Sequence, residues 1–137
     1  MARLLRRPER LTAYLREEAR FGHAWGTHDC ALFIADWVRA ETGSDPGAGV
    51  RGAYASEEEA DRYLSGYGGL GMAVARGMRQ AGLRMTKTVA PGDVALILAG
   101  DEVCCAIRTA TRFATRLRTS LCLLPLEGVR LITGWKV

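Results

Sequence analysis

The feature that most constrains this chain is a helix that opens on a cysteine. Trp25-Gly26-Thr27-His28-Asp29-Cys30 reads as a polar turn feeding a helix that runs on to Thr42. Asp29 or Thr27 is placed to cap the free N–H groups of the first turn. Cys30, Phe33, Ile34, Trp37 and Val38 recur at i, i+3, i+4, i+7 and i+8, a single apolar stripe that must be covered by other elements. Gly43 supplies a left-handed stop, and Pro46 forbids continuation. A thiol at a helix N-terminus sits at the positive end of the macrodipole, which lowers its pKa and favours thiolate. Two readings of Cys30 follow from this stretch: a nucleophile, or a small residue on the buried stripe.

The rest of the chain divides into a helical part, about residues 8–82, and a sheet part, about 92–137, within one domain spanning 1–137. Pro8 suits the first turn of a helix reaching about Arg20, with Leu11, Leu15 and Ala19 on one face. Residues 43–55 are a glycine-rich loop. Ser56 followed by Glu59 is a capping box that starts a short helix to about Leu64. A further helix, about Leu70 to Ala81, presents Leu70, Ala73, Val74 and Ala81 for burial. Pro91-Gly92-Asp93 then makes a turn, and Val94–Ala99 is an apolar run of strand length. Gly100-Asp101 turns into a second run, Glu102 to Thr109. Strands are expected over Arg112–Thr119, Leu121–Leu124 and Val129–Val137. Helices first and antiparallel strands after make an α+β domain.

A length of 137 residues with 48% hydrophobic side chains suffices for one real core. The net charge of +4 is carried by arginine, but acidic residues are interspersed and no nucleic-acid-binding motif accompanies it, so no nucleic-acid partner is expected. The arginine-rich start lacks the apolar core of a secretory signal, and no segment is long enough for a membrane span. Cys30, Cys104, Cys105 and Cys122 show no CxxC spacing, and neighbouring residues on a strand face opposite ways. Reduced thiols are therefore expected, with no metal and no cofactor. Trp25, Trp37 and Trp135 read as core or rim anchors. Arg108, Arg112, Arg116 and Arg118 form a basic stretch, read as a solvated strand face or as a docking surface for an acidic neighbour.

A cysteine at the head of a buried helix, followed downstream by Pro91-Gly92-Asp93-Val94 and a meandering sheet, resembles the NlpC-like, papain-fold cell-wall peptidases. The chain is more closely similar to proteins encoded among phage and gene-transfer-agent tail genes. That likeness rests on Trp25-Gly26-x-His28-Asp29-Cys30, on Thr42, Gly43, Asp45 and Pro46, on Arg51-Gly52 with Tyr54, on Gly68-Gly69-Leu70, and on Gly92-Asp93-Val94. It implies a papain-like fold, with N-terminal helices packed on a C-terminal antiparallel sheet. In the peptidases a histidine on the strand after the first turn of the sheet activates the thiol. Here Glu102-Val103-Cys104-Cys105-Ala106-Ile107 occupies that strand, and no histidine follows His28. His28 is then the candidate base for a catalytic Cys30, two residues away within the turn.

A thiol peptidase without a base within about 3 Å loses several orders of magnitude in rate. The expected function is accordingly a degenerate, structural relative: a tail-hub or tail-tip protein docked among other phage tail proteins in the virion, made in the host cytoplasm. Two alternatives stand beside it. One is a Cys30-dependent amidase or endopeptidase acting on peptidoglycan, and the other is a cytoplasmic factor that aids tail assembly and leaves.

Overall fold

The computed structural model describes residues 5–118 and 120–137. Four helices come first: α1 (Arg7–Glu18), α2 (Cys30–Thr42), α3 (Glu57–Ser65) and α4 (Leu70–Gln80). Six strands follow: β1 (Met85–Thr86), β2 (Val94–Ala99), β3 (Glu102–Arg108), β4 (Arg112–Arg116), β5 (Leu121–Pro125) and β6 (Arg130–Trp135). They form one antiparallel sheet in the order β1-β6-β2-β3-β4-β5. The expected α+β division is therefore present. The expected strand over Arg112–Thr119 ends at Arg116, and Thr119 lies outside the described residues.

The α2 sequence dictates its place. Asp29 caps it through a bond from the Leu32 N–H, and Gly43 ends it in the left-handed conformation at φ 81°. Phe33, Ile34, Trp37 and Val38, four of the five stripe residues, are essentially fully buried against Val94, Leu96, Cys105, Ile107 and Trp135 of the sheet. The reverse side of α2 is buried too. Leu32 and Ala35 face the loop at Pro46 and Gly47, together with Leu64, Leu70 and Val74. A Cβ at Gly47 would come within 2.8 Å of Leu32 and 2.9 Å of Ala35, so only glycine lets the loop lie on the helix.

The other helices wrap this one. α1 buries Leu11 and stacks Tyr14 against Phe33 and Trp37, with centroids 5.8 and 5.6 Å apart. Its Arg7 and Arg10 converge on Glu41 of α2 at 3.0 and 2.8 Å. The capping box of α3 forms, the Ser56 hydroxyl accepting from the Glu59 N–H. α4 buries Val74, Gly77 and Met78, whereas the expected Ala73 and Ala81 are only half-buried. The helix is turned because Gly77 sits against the Pro46 carbonyl, where a Cβ would approach to 2.3 Å.

The sheet's second face carries its own small core of Ala95, Ile97, Cys104, Ala106 and Phe113, covered by Val89, Leu124, Leu126, Val129 and Leu131. Alternation along the strands assigns Cys105 and Ile107 to the helix side and Cys104 and Ala106 to this one. Trp37 ties helix to sheet through an indole N–H donated to the Gly92 carbonyl at 2.8 Å. Among the described residues, no helix is long and apolar enough to cross a membrane.

Candidate functional site

The turn before α2 is built around Asp29, which is 2% exposed. Its carboxylate accepts from the Leu32 N–H at 3.0 Å, the Gly26 N–H at 3.0 Å and the Tyr54 hydroxyl at 2.8 Å. Gly26 adopts φ 81°, and a Cβ there would lie 2.1 Å from the Tyr54 carbonyl oxygen. The Trp-Gly-x-His-Asp-Cys pattern is therefore a folding unit: glycine permits the close approach and aspartate locks it. Burial, together with Asp29, pushes the Tyr54 phenol well up, so that it stays protonated as a donor.

Cys30 sits at the edge of a cleft of about 350 Å³, bordered by His23, Trp25, Tyr54, Leu64 and Arg118. Its pKa is lowered, first by the Cys105 thiol, with help from the N–H groups of Cys105 and Ala31, against the opposing effects of burial and of Asp29. The reciprocal effect pushes Cys105 well up, reinforced by its complete burial. Cys104 is also raised, chiefly by burial. All four cysteines are free thiols. Among the described residues, no three His, Cys, Asp or Glu side chains gather as metal ligands.

The two histidines take separate roles. The His28 ring stacks on Phe21, with centroids 4.5 Å apart and planes 10° from parallel, and its Nδ1 lies 3.8 Å from the Glu18 carboxylate. His28 is not among the residues lining the Cys30 cleft. His23 is, and it meets the Trp25 ring edge-on at 4.4 Å. Burial lowers the His23 pKa, opposed by Asp29 and assisted by Arg118 and Arg116, which favours the neutral imidazole. Sequence reasoning singled out His28 because of its proximity to Cys30. The pairing of Ala24 with His28 folds the turn back and brings the earlier histidine to the cleft.

The four arginines do not form one surface. Arg116 is 2% exposed, and its guanidinium donates to the Glu18 carboxylate at 2.9 Å, to the Phe21 carbonyl at 3.0 Å and to the Glu18 carbonyl. It is a brace between β4 and the end of α1, which corrects its assignment to a solvated strand face. Arg108, on the opposite side of the sheet, folds back onto the Thr109 and Ala110 carbonyls. Arg112 is exposed. Arg118 is exposed, pairs with Glu57 and covers the Trp25 ring at 5.6 Å.

The family model described as "Domain of unknown function (DUF6950)" matches residues 2–137. The chain belongs to this family. No curated protein and no solved structure matches it. In this DUF6950 chain the site can present a thiol at a helix N-terminus to a half-enclosed cleft, with polarising N–H groups beside the sulfur. The group that does most to lower the pKa of that thiol is a second thiol, Cys105.

Proposed function

We propose that this chain is a papain-like, NlpC-like domain whose hydrolytic chemistry is silent, acting as a docked component of a phage or phage-derived tail hub or tail tip. The observation that carries the silence is the partner of Cys30. The strand that would hold a catalytic imidazole offers the Cys105 thiol instead. A thiol whose pKa is pushed up holds its proton at neutral pH, so it cannot take the Cys30 proton and deliver it to a leaving amine. The tail role rests on the sequence likeness to proteins encoded among tail genes, with neighbouring hub proteins as partners and the virion tail as location. The test combines two measurements. Purified protein is incubated with peptidoglycan fragments and γ-glutamyl peptides, and purified particles are analysed by mass spectrometry. Cleavage that Cys30→Ser abolishes would overturn the silence, and absence of the protein from particles would overturn the tail role.

One observation favours a second reading, a Cys30-dependent peptidoglycan amidase or endopeptidase: His23 shares the cleft with Cys30 and is held towards its neutral form. In that case cleavage is lost in His23→Ala and retained in His28→Ala.

A further inference from the structure

The sheet has two edges, and they are guarded unequally. β1 is two residues long, and Lys87 follows it directly. β5, Leu121–Pro125, is five residues long, carries no charged side chain and pairs with β4 alone. Edge strands are kept from pairing by charge, proline, bulges or shortness, and of these β5 has only a proline at its last position. The hairpin before it fixes where its free backbone groups point. The Leu117 N–H donates to the Ser120 carbonyl, and the register sets Cys122 against Thr115 and Leu124 against Phe113. Alternation then turns the backbone groups of Cys122 and Leu124 towards β4. Those of Leu121 and Leu123, with the carbonyl of Pro125, point outwards along the sheet plane. The Leu123 side chain, on the helix side opposite the buried Ala114, is 54% exposed.

We propose that β5 pairs with β5 of a second copy of this chain, antiparallel about a two-fold axis through Leu123, so that one sheet runs across a dimer. In this register, which overlaps all five residues, the strand is its own complement. Each Leu123 N–H meets the Leu123 carbonyl of the other copy, and each Leu121 N–H meets its Pro125 carbonyl. Every outward N–H is then bonded, and only the Leu121 carbonyl is left to water. Pro125, which has no N–H, stands where it has only to accept. Side chains and charges agree with this register. The two Leu123 side chains lie opposite one another on the helix face and remove each other from water. Arg118, which pairs with Glu57 in its own chain, precedes the strand, and Glu127 follows it, both exposed. The two-fold brings the basic end of each copy to the acidic end of the other. Such a contact uses the same patch on both copies and closes at two. A five-residue edge falls short of the roughly 800 Å² per partner of a standard interface, so the dimer is reversible and fills at high micromolar concentration. The pairing depends neither on the tail reading nor on any cleavage at Cys30.

Sedimentation equilibrium of the reduced full chain, from low micromolar to near-millimolar concentration, reads the mass, and amide exchange at the two extremes reads the place. The mass should rise from monomer to dimer and stop there, and the Leu121 and Leu123 amides should exchange more slowly at high concentration. Leu123→Lys sets like charges face to face and should stay monomeric over the whole range. Its circular dichroism should match wild type, because the side chain it replaces is more than half exposed. Met85→Lys, at the other edge, should dimerise as wild type does. Four results would overturn the proposal: a monomer at every concentration, association that leaves the Leu121 and Leu123 amides unslowed, growth past the dimer, or undiminished dimerisation of Leu123→Lys. The wild-type chain alone yields the first three, so a variant that fails to fold does not leave the question open.

Discussion

The two ends of α2 are held by different means. At the C-terminal end the Trp37 indole is buried and bonded to the Gly92 carbonyl, and Glu41 receives Arg7 and Arg10. Asp45 and Asp36 share Arg51, at 2.9 and 2.6 Å. At the N-terminal end Asp29 is equally well bonded, yet its surroundings are open. A cleft lies beside Cys30, and the buried His28 Nδ1 and Arg116 Nε have no hydrogen-bond partner among the described residues. The contrast teaches that polar bonds to α1 and to the loop after α2 brace the far end, while the first turns are held to the sheet by the apolar burial of Phe33 and Ile34. At the thiol end the Cys30 side chain itself borders the cleft, where it can carry chemistry or contacts.

Breaking the far end should have the largest effect. Trp37→Ala removes a fully buried indole and its hydrogen bond, and should cost about 3–5 kcal/mol. Denaturant unfolding, or loss of soluble protein, is the measurement, and an unchanged midpoint would contradict the placement. At the thiol end, Asp29→Ala strips the cap and leaves Tyr54 and Gly26 unpaired, for roughly 2–4 kcal/mol. Tyr54→Phe, which removes one of those bonds, should cost only about 1 kcal/mol. If the two variants cost the same, Asp29 is not the centre of the turn.

Acid should separate the ends in a third way. Arg10 holds the Glu41 carboxyl below its ordinary value, and Arg51 does the same for Asp45. A depressed folded pKa contributes stability that is fully present above the unfolded value and is lost as pH falls through the folded one. The urea midpoint should therefore fall as pH drops below about 4.5, the ordinary value of Glu41. Glu41→Gln should lower stability at neutral pH and flatten that decline. The smallest effect is expected at the cleft rim. Arg118 is exposed and pairs with Glu57 at the surface, so Arg118→Ala should stay within about 0.5 kcal/mol of wild type by thermal melting.

Much of the helical frame was legible in the sequence, because it is local, whereas the Trp37–Gly92 and Arg–Glu41 bonds that brace the far end of α2 join residues 31 to 55 positions apart. The apolar stripe, Gly43 and the capping box at Ser56 each act within a few residues, and helical periodicity reports them. The thiol end was legible only in part. A cap at Asp29 or Thr27 followed from spacing and the structure selects Asp29, but its bond to Tyr54 depends on a loop conformation that no periodicity encodes. Arg116 was misread because a charged residue on an alternating strand suggests solvent. Its partners, Glu18 at the end of α1 and Phe21 just beyond it, are 98 and 95 positions away. The face of α4 was shifted by a backbone contact between Gly77 and Pro46, and helical spacing cannot register such a contact.

The strand order has a consequence in time. β2, β3, β4 and β5 are successive neighbours joined by short connections, so this meander closes only small loops as it forms. β6 instead returns to lie between β1 and β2, and it brings Trp135 into register with both Met85 and Val94. Its insertion has the largest entropic cost of any step in the sheet, and it completes the wall on which Trp37 rests. A nascent chain can therefore carry a formed meander while its main core is still open along one side. That side stays unsealed until the last-made strand arrives.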